Sequence, residues 1–233
     1  MMRATASSAE AATAPTRTRR WPTRNYHLAA TLASGQAFRW RQRGPTWEGV
    51  IGRRWVALEQ SKEGITATTA EPVDNWAWLE EYLQNQVVYE SILADFPDDP
   101  VLRRAVEACW GLRLLRQEPW ECLASFLLSS TKQIPQISAI VERLCARYGE
   151  PVAVPPGHEP QSAFPRAEML AQVAESDLRQ CRMGFRARSL RLAAQEVAAG
   201  RLELAKLTTL PLDQARAELM RLRGIGPKIA DCV

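Results

Sequence analysis

Between residues 25 and 69 the apolar positions of this chain fall in short runs, at 27–32, 37–43, 47–51, 55–59 and 65–68. Gly35, Gly44-Pro45, Gly52 and Gly64 punctuate them, so the segment predicts an antiparallel meander of short strands. After Glu71-Pro72 the apolar spacing becomes helical and stays so. Helices are expected over 73–86, from the Pro97-Asp98-Asp99-Pro100 start to Cys109, from Pro119 through the apolar stretch 122–128, and over 135–148 up to Gly149. A loop rich in Pro and Gly at 151–160 leads to helices at 167–173, 175–182 and 186–199. The pattern predicts an α+β chain: an N-terminal antiparallel β cap followed by an all-α domain. Residues 1–22, with Arg3, Arg17, Arg19 and Arg20 against a lone Glu10, show no apolar period and predict a disordered basic tail. Such an Arg-rich, acid-poor segment suits a transit peptide or, the reading favoured here, a plain extension.

Composition narrows the function classes without choosing one. The 233 residues are 46% hydrophobic and 24% charged, which excludes wholesale disorder, collagen and coiled coil. The longest apolar runs fall far short of the roughly 20 residues that span a bilayer. A net charge of +4 neither requires nor excludes a polyanionic partner. The five cysteines, Cys109, Cys122, Cys145, Cys181 and Cys232, form no CxxC pair and read as reduced core thiols in a reducing compartment. With only His27 and His158 available, a zinc site and Ser-His-Asp or Cys-His catalysis are disfavoured.

Chemistry concentrates in residues 212–233, where an amphipathic helix, a Gly224-Ile225-Gly226 turn and a second helix opening at Pro227-Lys228 spell a helix-hairpin-helix. Two glycines one residue apart allow positive φ and close approach to a ligand, so their N–H groups suit a DNA phosphate, and the helix start adds its positive dipole end. An ordinary αα-turn is the alternative. Lys228 sits in the first turn of the second helix, where the dipole and partial burial would favour a neutral, nucleophilic amine. Taken alone, it reads as a phosphate contact or a solvated charge rather than as a nucleophile. Cys232, one turn further on the same face, reads by itself as a small buried core residue.

Five stretches together say more than the hairpin does. Ser34-Gly35-Gln36-Ala37-Phe38-Arg39-Trp40, Leu114-Leu115-Arg116-Gln117-Glu118-Pro119, Val141-Glu142-Arg143-Leu144-Cys145, Gly184-Phe185-Arg186-Ala187-Arg188 and Gly224-Ile225-Gly226-Pro227-Lys228-Ile229-Ala230-Asp231-Cys232 resemble 8-oxoguanine DNA glycosylase/AP lyases. They occur in that family's order and cover residues 25–233. The resemblance implies a glycosylase N-terminal β-rich domain with its following helices at 23–115, and a helix-hairpin-helix glycosylase domain at 116–233, incomplete at its C-terminus. It further implies base-excision repair: a bifunctional, monomeric enzyme that flips 8-oxoguanine out of double-stranded DNA, excises it and cleaves the strand by Schiff-base β-elimination. Lys228 would be the catalytic amine. The Gly35 carbonyl would accept the N7 hydrogen that guanine lacks, and the Cys232 thiol would lie against the extruded base. Phe185 would wedge the stack, Arg186 would read the orphaned base, and Gly224 and Gly226 would hold phosphate. The carbonyls of Met220, Leu222 and Ile225 match a site for a monovalent cation, while no iron-sulfur cluster or other cofactor is implied. The expected place is wherever the DNA is: the cytoplasm and nucleoid of a bacterium, or a nucleus or organelle. Endonuclease III keeps the lysine but lacks the β cap; alkyladenine glycosylases lack the lysine.

Two departures qualify the resemblance. The family's asparagine run is replaced by Thr131-Lys132-Gln133, and Gln136 stands where an arginine is usual. Thr131 and Lys132 are candidate DNA contacts, with a solvated helix-start charge the alternative for Lys132. The family also carries an aspartate roughly twenty residues beyond the lysine, where it stabilises charge developing on the sugar. Asp231 suits local pairing rather than that role. A truncated chain with weak or no turnover is therefore expected, and an inactive fragment serving at most as a DNA-binding module is the alternative.

Overall fold

The computed structural model describes residues 16–70, 73, 75–130 and 132–233. Its N-terminal part is a five-stranded antiparallel sheet in the order β1-β5-β4-β3-β2, built from β1 (Arg17–Trp21), β2 (Arg41–Arg43), β3 (Thr46–Ile51), β4 (Arg54–Ser61) and β5 (Gly64–Thr69). Helix α1 (Leu28–Ala33) runs between the first two strands. Then come α2 (Ala77–Leu83), α3 (Tyr89–Ala94), α4 (Pro100–Ala108), α5 (Pro119–Ser129) and α6 (Ile134–Tyr148). A two-stranded ribbon, β6 (Pro151–Val152) with β7 (Gln161–Ser162), precedes α7 (Ala167–Gln172) and α8 (Glu175–Leu178). The chain closes with α9 (Arg186–Ala198), α10 (Leu204–Leu207), α11 (Leu212–Met220) and α12 (Pro227–Ala230).

The β-then-α order matches the apolar pattern, and three local expectations change. The disordered tail does not reach residue 22: β1 pairs with β5 from Arg17 opposite Thr69 to Trp21 opposite Ile65. Trp21 is the buried anchor, edge-on to Trp76 at 5.5 Å, and Thr18 Oγ1 lies 3.1 Å from Thr68 Oγ1. Residues 1–15 of that tail lie outside the described residues. The run 27–32 is helix rather than strand. His27 Nδ1 accepts the Ala30 N–H at 3.1 Å as a cap, and Leu28 and Leu32, four apart, bury one face. The single helix expected over 175–182 breaks after α8 into a π-type turn at Arg179–Met183, with Arg182 at φ +65°.

Among the described residues, two apolar clusters form the core. One lies between the sheet and α1 and α2 and includes Leu58, Ile65, Leu79 and Leu115. The other lies in the helical part and takes in Phe38, which reaches in from the cap and meets Phe126 edge-on at 5.5 Å. Each fully buried leucine contributes about 1.5–3 kcal/mol. No helix among the described residues is long and apolar enough to cross a membrane. The five cysteines are free, but Cys109 and Cys232 are exposed, so only Cys122, Cys145 and Cys181 are core thiols.

Gly64 controls the attachment of β1. It sits at φ +133°, and a Cβ there would fall 1.9 Å from the Trp21 carbonyl oxygen. Gly64→Ala is expected to destabilise the fold by on the order of 2 kcal/mol, read as a lower urea midpoint with tryptophan fluorescence; an unchanged midpoint contradicts this account of β1.

Candidate active site

Helix α5 is the element on which the site is assembled. Glu118 caps it through both carboxylate oxygens, accepting the Trp120 N–H at 3.0 Å and the Glu121 N–H at 2.6 Å, and Pro119 opens its first turn. Leu123, Leu127 and Leu128 are buried along its length. The helix-hairpin-helix docks on this surface. Gly224 takes φ +91°, and a Cβ there would stand 3.1 Å from Ser189 Oγ of α9 and 3.7 Å from Leu127 Cδ2 of α5. Leu222, Ile225 and Ala230 are buried beside it, and the Ile225 N–H donates to the Leu222 carbonyl at 3.2 Å.

The second glycine does a different job from the one its spacing suggested. Gly226 has φ −106° and ψ 179°, extended backbone that any residue adopts, and a Cβ there would meet nothing within 4 Å. Its carbonyl accepts the N–H groups of Ile229 (3.1 Å) and Ala230 (3.0 Å), starting α12. Lys228 is exposed on this single turn, so the partial burial expected for it is absent. Cys232 is exposed rather than in the core, and its carbonyl accepts the Cys122 Sγ–H at 3.6 Å. Burial pushes the Cys122 thiol up to about 12, which keeps it a donor. Asp231 pairs with Arg216 of α11, a local ion pair as expected.

The turn carrying Gly35 faces the start of α6. Gly35 has φ +84°, and a Cβ on it would fall 2.8 Å from Ile134 Cδ1. Ile134 itself is 47% exposed. The carboxamide of Gln36 ties this turn to residues 113–115 and that of Gln117 ties it to the approach to α5; neither residue carried a role in the sequence reading.

A third group surrounds the end of α5. Phe185 is 67% exposed, pushed outward by a turn in which Arg182 and Gly184 both have positive φ. Arg186 is buried instead: its Nε donates to Ser130 Oγ at 3.1 Å, another guanidinium nitrogen bonds the Ser130 carbonyl, and its charge lies 4.5 Å from the Phe185 ring centre. Lys132 is half-buried, with its N–H on the Ser129 carbonyl at 3.1 Å; Thr131 lies outside the described residues. Gln136 turns back on its own helix, accepting the Gln133 N–H at 3.1 Å.

Beneath these groups a charged pair joins the Gly35 segment to α5. Arg39 Nη1 stands 4.0 Å from Glu121 Oε2, and the other terminal nitrogen bonds the Ser162 carbonyl. Burial raises the Glu121 carboxyl to about 7, opposed by Arg39 and assisted by Glu118. The folded chain therefore holds this proton more tightly than the unfolded chain, so the carboxyl lowers stability as pH rises from about 4.5 to about 7. Glu121→Gln is expected to flatten that part of the curve of unfolding free energy against pH, measured by urea titration at pH 5 and pH 7.5. An equal slope in the variant contradicts the assignment.

A β sheet capping a helical body, with a glycine-cornered hairpin presenting an exposed lysine, defines a helix-hairpin-helix fold. Residues 20–123 match the model of the 8-oxoguanine DNA glycosylase N-terminal domain. The chain is 30% identical over 218 residues to the Arabidopsis thaliana N-glycosylase/DNA lyase OGG1, an alignment covering 88% of this chain and 59% of that one. A solved structure of MBOgg1 with a low-affinity DNA ligand superposes with a TM-score of 0.84 at 30% identity, over 93% of this chain and 74% of that one. The Clostridium acetobutylicum 8-oxoguanine glycosylase/lyase, solved with double-stranded DNA containing cytosine opposite 8-oxoguanine, gives 0.84 at 25% identity, over 93% and 77%. The chain belongs to the 8-oxoguanine DNA glycosylase family. It spans 59% and 61% of the length of the first two curated relatives it matches.

Proposed function

We propose that this chain acts in base-excision DNA repair, removing 8-oxoguanine and related oxidised purines from duplex DNA by base flipping and cleaving the resulting abasic strand as a Schiff-base lyase. The observation that carries the reading is Lys228, exposed on the turn after a hairpin whose Gly224 is seated against α5. The Nζ lone pair attacks C1′ as the C1′–N9 bond breaks and the base departs with a proton. Ring opening gives an imine between Nζ and C1′. Loss of a C2′ proton then expels the 3′ phosphate. DNA laid across the hairpin covers the amine and excludes water from it.

Selection of the damaged base falls to the Gly35 carbonyl, which accepts the N7–H of the oxidised purine, whereas the N7 lone pair of guanine meets it acceptor to acceptor. Its half-exposed position on a glycine turn beside Ile134 supports this role. The Cys232 thiol, exposed one turn beyond Lys228, covers a face of the base, and the exposed Phe185 ring wedges the stack. Arg186 reads the opposite base only after leaving Ser130. Lys132, the N–H groups around Gly224 and Gly226, and Thr131 contact phosphate, so binding weakens with salt. The hairpin also fits a monovalent cation. Leu222 uses its carbonyl for one bond, and those of Met220 and Ile225 accept none of the backbone hydrogen bonds outside helices and strands among the described residues. Bound there, such a cation would neutralise part of a phosphate's charge.

Borohydride trapping tests the proposal. A duplex with a preformed abasic site is expected to yield a covalent adduct, one with 8-oxoguanine opposite cytosine to do so more slowly, and Lys228→Gln to lose both. Adducts that persist in the variant contradict it.

A further inference from the structure

The backbone of a glycine has no side chain to fix it, so the direction of the Gly35 carbonyl must be set by its neighbours. Gln36, half-buried, supplies most of the restraint. Its Nε2 donates to the carbonyls of Arg113 (2.8 Å) and Thr31 (3.1 Å) and lies 2.9 Å from Ser34 Oγ, while its Oε1 accepts the Leu115 N–H at 2.7 Å. Gln117 completes the hold, donating from its own Nε2 to the Gln36 carbonyl at 2.6 Å. The segment they grip is itself immobilised. The Arg113 N–H donates to Thr31 Oγ1 at 3.1 Å, and the Arg113 guanidinium reaches the Val87 and Asn25 carbonyls at 3.1 and 3.0 Å and stacks over Tyr89 and Tyr26. On its other side the turn meets Ile134. The two residues are 81 positions apart and serve neither the sheet nor a helix ladder; their bonds hold the residue that follows Gly35 by its side chain and by its own carbonyl.

We propose that Gln36 and Gln117 are positioning residues that aim the Gly35 carbonyl and thereby set the preference for an oxidised over a normal purine. This rests on the reading that the Gly35 carbonyl meets the N7–H of the damaged base. A contact that discriminates by one hydrogen must be held within a few tenths of an ångström, and a carbonyl free to rotate loses discrimination before it loses binding.

The test compares the affinities of the 233-residue chain for otherwise identical duplexes carrying 8-oxoguanine or guanine opposite cytosine, by fluorescence anisotropy, with Gln117→Met and Gln36→Glu beside the unmodified chain. Met keeps the length of Gln117 and removes the donor; Glu keeps the acceptor for Leu115 and removes the donors. Each variant is expected to lower the 8-oxoguanine-to-guanine affinity ratio about tenfold while changing guanine-duplex affinity by less than about twofold. A preference kept in both variants overturns the positioning role and leaves the proposed function standing. No preference in the unmodified chain overturns the Gly35 reading, and this inference with it. Loss of cooperative unfolding in both variants also overturns it, because the pair would then be a support of the fold rather than of the carbonyl.

Discussion

The close seating of the hairpin on helix α5 is the constraint on which the rest depends. Gly224, at φ +91°, faces Ser189 and Leu127 so closely that a Cβ on it would stand 3.1 Å from Ser189 Oγ and 3.7 Å from Leu127 Cδ2. Around it, Leu222, Ile225 and Ala230 are buried in the same cluster as Leu123 and Leu127. That packing leaves Lys228 and Cys232 on the outside of a rigid corner. An exposed amine on a fixed turn is open to a polyanion that arrives from solvent, and under the proposed function its reactivity would be governed by what the DNA covers.

The same helix joins the cap to this corner. Its first turn holds Glu121 against Arg39 of the segment carrying Gly35, its middle packs Phe126 on Phe38, and its far end gives Ser130 to Arg186. Three sequence segments more than a hundred residues apart in part therefore meet on one element. Under the proposed function, recognition of a base, contact with the stack and covalent chemistry on the sugar would share that support, which matters for a reaction whose geometry tolerates little play.

Much of this was legible because Gly and Pro punctuate the chain. Pro119, Gly149, Gly184 and Pro227 lie within one residue of element boundaries in the structure. Strand β1 was hidden because three of its five residues are arginine, leaving Trp21 as its single buried position, and because its partner β5 lies about fifty residues on. The run 27–32 misled because leucines four apart fit a helix face as well as an apolar stretch, and the cap that decides between them, His27, is a side-chain acceptor that periodicity does not register. At the site, residue types were readable and their states were not. Nothing in Gly-Ile-Gly distinguishes the left-handed Gly224 from the extended Gly226, or announces that Arg186 turns inward while its neighbour Phe185 turns out. Gln36 and Gln117 lay inside recognisable motifs, yet their bonds to one another span a distance in sequence that no local pattern encodes.

The chain has four lysines, Lys62, Lys132, Lys206 and Lys228, and all but one stand outside the hairpin. Peptide mapping by mass spectrometry of the species formed when sodium borohydride reduces the complex with an abasic-site duplex locates the bonded amine directly. The account predicts the deoxyribose remnant on the peptide containing Lys228; its appearance on Lys132 or Lys206 instead would contradict the central claim.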